Sequence, residues 1–311
     1  MDNNENQQLI MVSIIIVNYN TSRLLLQCVD SIEKHVKGVD YEIIVADNAS
    51  SDEELVLLRD DKRFTLLELD TNVGFGKANN AAALLAKGNY LLLLNPDTVL
   101  MNDAVALLSQ YMDSYPKTGI CGGNLYDNNL QPTHSFHRIY PSFLSEMDFA
   151  MGQFYRKIRF HKNSQFNHST HPIKVAMITG ADLMIRTEIW NELKGFDSNF
   201  FMYGEDADLC KRCKQLGYGV VAIPEARIQH LEGKSFIETE SQCRQILEGR
   251  FTYFDKHYSI LYNRLTDVMN IISLNIAVFI YRIRRNKPAT SKFSNRLRIY
   301  KEYATKHQLL R

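Results

Sequence analysis

Tryptophan and cysteine are the scarcest side chains of this 311-residue chain: one tryptophan, Trp190, and five dispersed cysteines, Cys28, Cys121, Cys210, Cys213 and Cys243. An odd, scattered set of thiols is not the pattern of a disulfide framework and fits a reducing compartment. Cys210 and Cys213 stand at C-x-x-C spacing, but inside a helical run and with no second Cys or His pair, so zinc is not expected there. The opening MDNNENQQ has neither a basic n-region nor an apolar h-region, which argues against a signal peptide. No apolar run is read as reaching the ~18 residues that cross a bilayer, and neither an internal repeat nor a low-complexity tract is apparent. Excess charge of either sign is also missing, at a net +1 with 45% hydrophobic and 23% charged residues. Those are ordinary globular values, and the length allows one enlarged domain or a domain with an appendage.

The near-neutral total hides an asymmetry. From Lys256 to Arg311 twelve lysines and arginines face two acids, Asp267 and Glu302, a local +10 that leaves −9 on the first 255 residues. Residues 268–285 combine an apolar stripe at Val268, Ile271, Ile272, Val278 and Phe279 with a basic end, while Asn270, Ser273 and Asn275 argue against a membrane span. That pattern suits an amphipathic helix on an anionic membrane surface. The alternative is a helix packed on the main domain with a solvated basic tail. No recognition motif accompanies the charge, so nucleic acid is not expected as a partner.

The first hundred residues alternate strand and helix. Strands are expected at Val12–Val17, Tyr41–Ala46, Phe64–Leu69 and Tyr90–Leu94, and helices at Ser22–His35, Glu53–Leu58 and Lys77–Lys87. This is the rhythm of a doubly wound, mostly parallel Rossmann-like α/β sheet. A helix over 102–114 and Gly119–Gly123 close that half. Residues 127–175, with His134, His137, His161, His168 and His171, break the rhythm as either an acceptor-side flap or a surface excursion. Order resumes at Val175–Thr179, with a strand at Leu183–Arg186, a helix at 187–194 and a strand at Val220–Ile223.

Each early strand runs into polar residues: Asn18-Tyr19-Asn20, then Asp47-Asn48, then Asp70-Thr71-Asn72, then Asn95-Pro96-Asp97. Pro96 must end the fourth strand, and an acid at the carboxyl end of a buried parallel strand sits where open α/β sheets bind ligands. The competing reading makes Asp97 the N-cap of a following helix. Together the endings form a polar crevice suited to a nucleotide: an aromatic for the base, acceptors for its N–H edge and a carboxylate for a cation. Gly74-x-Gly76 lacks the full phosphate-cradle spacing and follows the third strand. A second cluster, Glu205, Asp206 and Asp208, opens a helix, where the macrodipole alone would favour acids. His230 follows a strand and a proline turn.

In this order, VSIIIVNYN, ADNASSD, TNVGFGKANN, LLLLNPDT, GA-x-LMIR, GFDSNFFMYGEDADLCKR and H-x-x-GKS resemble family 2 glycosyltransferases of the A-type fold, in their rhamnosyltransferase-like branch. The likeness covers roughly residues 11–258. It implies that Asn18, Tyr19, Asn20, Asp47, Asn79 and Asn95 bind the nucleotide, Tyr19 by stacking and Asp47 by accepting from the base. Asn95 holds the first position of the Asp-x-Asp motif and Asp97 the second, the metal ligand. His230 is the C-terminal ligand to metal or diphosphate, and Asp206 the general base. Gly180, Ala181, Asp182 and Glu205 lie near the transferred sugar and acceptor. Asn79 stands where many members carry arginine.

The activity so implied is an inverting transfer from a nucleotide-diphosphate sugar, with dTDP-rhamnose the candidate donor, assisted by Mg²⁺ or Mn²⁺. The acceptor is a saccharide or lipid-linked saccharide at the cytoplasmic face of the membrane. Residues 1–258 would form the catalytic domain (11–126 binding nucleotide, 127–258 facing the acceptor) and 259–311 a helical basic extension. Two rivals stand beside it. A sugar-1-phosphate nucleotidyltransferase would need a Gly-rich, Arg/Lys-bearing loop where Asn18-Tyr19-Asn20-Thr21 stands. A degenerate scaffold would not need Asp47, Asp97 and Asp206 intact.

Overall fold

The computed structural model describes residues 11–231 and 239–309. Gly233, Lys234 and Ser235 of the His-x-x-Gly-Lys-Ser motif lie outside the described residues, as does the opening octapeptide.

The amino-terminal half alternates as expected: β1 (Met11–Asn18), α1 (Ser22–His35), β2 (Asp40–Asp47), α2 (Asp52–Arg59), β3 (Thr65–Glu68), α3 (Phe75–Ala83) and β4 (Tyr90–Leu94). Then come β5 (Thr98–Leu100), α4 (Ala104–Ser114) and β6 (Thr118–Tyr126). The 127–175 region holds β7 (Phe136–His137), α5 (Phe143–Ala150), α6 (Phe154–Phe160) and β8 (Ile173–Lys174). It is followed by β9 (Met177–Ile178), β10 (Asp182–Arg186), α7 (Thr187–Leu193), α8 (Glu205–Gln215) and β11 (Gly219–His230). Three helices end the chain: α9 (Glu240–His257), α10 (Ile260–Ile283) and α11 (Lys287–Leu309).

The main sheet runs β3-β2-β1-β4-β10-β6-β11-β5, with β8 added on β11. Strands β3, β2, β1 and β4 are mutually parallel, and β10 runs antiparallel between β4 and β6. The unbroken apolar runs of β1 and β4 follow from burial on both faces. Ile14, Ile16, Leu92 and Leu94 enter the core under α1 and α4, while Ile15, Val17, Leu91 and Leu93 enter the core shared with α3, α7, α8 and α9. Alternate side chains of one strand thus nail two helical layers to one sheet.

Several boundaries differ from the sequence reading. Helix α3 starts two residues early and stops four early. Its N-cap Gly74 has φ +88°, a Cβ there would strike the Phe201 carbonyl oxygen, and that oxygen accepts the Phe75 N–H at 2.9 Å. Tertiary contact, not local spacing, sets that end. Residues 98–100 form a strand, so Asp97 is not a helix N-cap; Asp103 fills that role for α4 by accepting the Ala106 N–H at 3.2 Å. Strand β11 does not stop at Ile223 but continues to His230, with a register shift between Ala222 and Arg227 that absorbs Pro224.

The carboxyl-terminal helices pack on the sheet domain. Phe251, Leu274, Tyr300 and Ala304 form their shared apolar cluster. At its edge the buried Arg250 pairs with Glu146 at 2.9 Å and Asp267 at 3.3 Å. Helix α10 also corrects the reading of 268–285. It is 24 residues long with mean hydropathy 1.3, so among the described residues it alone is long and apolar enough to cross a membrane. Its apolar stripe is different as well: Ile271 faces inward onto the Phe251 cluster, not outward.

Candidate active site

The sheet topology brings the polar strand ends together. Asn18 pairs with Asp47 in register and Ile16 with Leu94, so β2, β1 and β4 finish along one edge. Antiparallel β10 begins where β4 ends, Asp182 opposite Leu94, which brings Gly180 and Ala181 to that same edge. His230 ends β11 opposite Thr98, immediately beside Asp97.

At the β1–β2 end the hydrogen bonds are dense. Asn18 is fully buried and its carboxamide donates to Asp47 at 2.7 Å, Ser50 at 3.1 Å and Ser22 at 3.2 Å. Asp47, also fully buried, accepts the Ser50 N–H at 2.9 Å through its other oxygen. Both side chains therefore hold the strand ends together. Asn20, with φ +54°, accepts the Ser51 N–H and donates its own N–H to the Ser50 hydroxyl, both at 2.9 Å. Between them Tyr19 projects outward, 49% exposed. A rigid polar floor with one presented aromatic ring is an arrangement that can receive a planar base.

Beside it, the Asp97 carboxylate and the His230 imidazole meet at 3.2 Å, and Asp97 also accepts the Leu231 N–H through its backbone carbonyl at 2.8 Å. Asn95 is anchored by its backbone, its N–H on Ala181 at 3.0 Å and its carbonyl accepting the Thr98 hydroxyl at 2.7 Å. Asp182 is buried below, with one oxygen on the Gly123 N–H and the other unpartnered among the described residues. Burial pushes its carboxyl well above the usual range, against the pull of Gly123 and His230.

The three acids of the α8 start have separate fates. Asp208 points away from the cleft and is fully buried among Arg212 at 2.7 Å, Lys256 at 2.8 Å and His257 at 2.9 Å. Burial would raise its pKa, but the His257 hydrogen bond and the Arg212 and Lys256 charges outweigh it and hold the carboxyl at about 2. Glu205 and Asp206 face the cleft. Asp206 accepts the Ala207 N–H at 2.7 Å and the Gly180 N–H at 3.2 Å. Burial raises both carboxyls above the ordinary range, and Asp206 raises Glu205 further by repulsion. The turn before them is held tightly: Tyr203 has φ +69° and Gly204 φ +94°, and any Cβ at Gly249 of α9 would strike the Tyr203 carbonyl oxygen. Backbone in this sparsely populated region persists because its surroundings fix it.

A cleft of about 460 Å³ brings together Asn95, Gly180, Ala181, Glu205, Asp206 and His230, whereas Asn18, Tyr19, Asn20, Asp47, Asp97 and Asp182 lie outside its wall. Asn79 is not on its wall. It is buried in α3 with its carboxamide donating to the Phe75 carbonyl at 3.0 Å. Seven wall residues were given no role by the sequence reading: Phe75, Thr133, His134, Thr179, Met202, Tyr203 and Gly204. Burial is the chief cause that pushes the His134 pKa down to about 4, and among the described residues its Nε2 has no partner. Only its place in the histidine-bearing 127–175 segment hinted at it.

The donor set bears on metal chemistry. Among the described residues no three His, Cys, Asp or Glu side chains converge on one point. One carboxylate and one imidazole 3.2 Å apart do not make a closed protein cage. They fit a hard divalent cation whose remaining ligands are substrate phosphate oxygens.

Known proteins share both the sequence and the architecture. The rhamnosyltransferase WbbL of Escherichia coli K12 is 28% identical over 277 residues, covering 83% of this chain and 97% of WbbL. An N-acetylglucosaminyl-diphospho-decaprenol L-rhamnosyltransferase of Mycobacterium tuberculosis is 24% identical over 62% of this chain and 67% of its own length. Among solved structures, the mannosyltransferase PcManGT of Pyrobaculum calidifontis, in complex with GDP-Man and Mn²⁺, superposes with a TM-score of 0.58 at 16% identity. That superposition covers 94% of this chain and 83% of PcManGT and establishes the shared A-type fold. Residues 13–180 match the profile of "Glycosyl transferase family 2", more than half of the chain, and the protein belongs to that family.

Proposed function

We propose that the chain transfers a sugar, rhamnose first among candidates, from a thymidine or uridine diphosphate sugar to a lipid-linked saccharide, with inversion at the anomeric carbon. The relatives named as rhamnosyltransferases support the sugar, and the decaprenol-linked substrate named for one of them supports the acceptor class. The observation that carries the reading is one cleft whose wall includes Asn95, His230, Glu205 and Asp206.

In this reading Tyr19 stacks on the base and Asp47 accepts from its N–H edge. Asp97 and His230 hold Mg²⁺ or Mn²⁺, which neutralises charge on the departing diphosphate when bound. Asp206 accepts the proton of the acceptor hydroxyl as its oxygen bonds to the anomeric carbon. The bond from that carbon to the β-phosphate oxygen breaks, and its electron pair leaves with the nucleoside diphosphate. One base opposite the leaving group gives inversion. Asn18 acts by fixing Asp47, and Asp182 lies beneath His230 near the sugar. The basic carboxyl-terminal helices bring the enzyme to the cytoplasmic face of the membrane, where a lipid-linked acceptor is found.

The test is to follow both products of a reaction containing dTDP-rhamnose, Mn²⁺ and a polyprenyl-diphosphate-linked saccharide. The expected outcome is free dTDP in step with rhamnosylated lipid of inverted anomeric configuration. Pyrophosphate release from a nucleoside triphosphate and a sugar-1-phosphate, without transfer, would assign a nucleotidyltransferase instead.

A further inference from the structure

Helix α10 is built backwards for a helix in water. Its inward face is largely polar, with Ile271 and Leu274 as apolar members: Asn263 donates to Asp255 at 3.0 Å, Asn270 donates to Glu146 at 3.1 Å, and Asp267 accepts from the Tyr300 hydroxyl at 2.7 Å. Its outward face is apolar. Leu261, Leu265, Val268, Ile272, Ile276, Phe279 and Ile283 are each at least 50% exposed. Steps of four, three, four, four, three and four residues put all seven on one narrow stripe. An ordinary surface helix has the opposite arrangement.

The stripe does not end with α10. Helix α5 packs beside it, with Glu146 holding both Asn270 and Arg250. From the last turn of α5 onward, Phe149, Met151, Phe154 and Ile158 are exposed on the α5–α6 hairpin. A groove of about 560 Å³ joins the two patches, with Phe149 and Lys157 on one wall and Ile276, Ile280 and Arg284 on the other. Exposed basic residues border the combined surface: Lys157 and Arg159 on α6, Arg264 and Arg282 three residues after stripe members, and Arg284, Arg285 and Lys287 at the helix end.

We propose that the outer face of α10 and the α5–α6 hairpin form one docking surface for an anionic lipid bilayer, with α10 lying in the plane of the headgroups. This rests on the transferase reading only in making the lipid-linked acceptor the reason for docking. Apolar stripes bordered by Lys and Arg match an anionic interface. A second copy docked by twofold symmetry would bring the same basic border against itself. A spanning pose would carry Asp267, Asn270 and the ion pair with Arg250 into hydrocarbon. The hairpin also gives the 143–160 segment a task. Residues 133–134 of the same excursion line the cleft, so one stretch of chain connects the membrane foot to the site where the acceptor head group would sit.

The test is sedimentation of the full chain with vesicles of phosphatidylglycerol and phosphatidylcholine, against phosphatidylcholine alone. Donor-induced thermal stabilisation is read in parallel as a measure of folding and of the nucleotide site. Wild-type protein is expected to sediment with the anionic vesicles. Ile272→Glu/Phe279→Glu and Phe154→Glu/Ile158→Glu are each expected to weaken binding by about tenfold or more, with donor stabilisation unchanged. Wild-type protein left in the supernatant overturns the proposal, as does full binding by the α6 double variant. A dimer in solution that Ile272→Glu dissociates also overturns it, by making this face an interface between copies. Vesicle binding without donor stabilisation would uphold the docking surface while counting against the transferase reading.

Discussion

Replacing Asp206 with asparagine is expected to lower kcat by roughly 10²–10⁴-fold, the usual contribution of a positioned general base, while leaving donor affinity within about twofold. The reasoning begins with placement. Asp206 sits at the first turn of α8, with one oxygen on Ala207 and the other on Gly180, so its carboxylate is fixed toward the cleft. Asparagine can keep one of these bonds through its carbonyl oxygen but cannot take a proton. The pH profile supplies an independent check. Burial raises Asp206, and Glu205 beside it is raised as well. An acid with a raised pKa is ionised only at higher pH, so the acidic limb of kcat should lie above the ordinary carboxylate range near ~4. Activity should fall as pH drops through that limb. Full kcat in Asp206→Asn would remove it as the base and direct attention to Glu205.

The neighbouring acid should behave differently. Asp208→Asn is expected to cost about 1–3 kcal/mol of unfolding free energy, because it removes the charge of a fully buried carboxylate on which three side chains converge. Arg212, Lys256 and His257 converge on this carboxylate and join α8 to α9. Its pKa is depressed to about 2. The stabilisation is therefore fully present above the unfolded value near ~4 and is lost as pH falls toward 2. Equilibrium denaturation across that interval measures it. A loss below about 1 kcal/mol would place the pairing among ion pairs that contribute little. Two residues in one turn thus separate by assay, one through turnover and the other through stability.

The sequence made the first half legible because two-faced burial leaves a strong trace. The four leucines of β4 and the β-branched run of β1 can only be interior strands of a covered sheet, and the polar residues after them must then form its edge. Asp97 was ambiguous locally, as a helix cap or as a presented acid, and it took the pairing of Thr98 with His230 to decide. The ends of α3 and the turn at Tyr203–Gly204 depend on contacts between residues more than a hundred positions apart or across helices, and no window of sequence contains those. The three acids at 205–208 read as one cluster because periodicity does not say which of them α9 will claim. His134 reached the cleft from a segment without period. Helix α10 was misjudged for a related reason: counting apolar positions from Val268 located a stripe but could not tell that Asp267 and Asn270 would be the buried side.

The central claim is that the edge formed by β1, β2, β4, β10 and β11 binds a nucleotide sugar through a divalent cation at Asp97. Thermal unfolding of the purified chain against a panel of nucleotide sugars, with Mn²⁺ and with chelator, tests it most directly. The account predicts stabilisation by a thymidine or uridine sugar that needs Mn²⁺ and disappears in Asp97→Ala. No shift with any donor in either condition would contradict it and leave the chain a family member that holds the fold without the site.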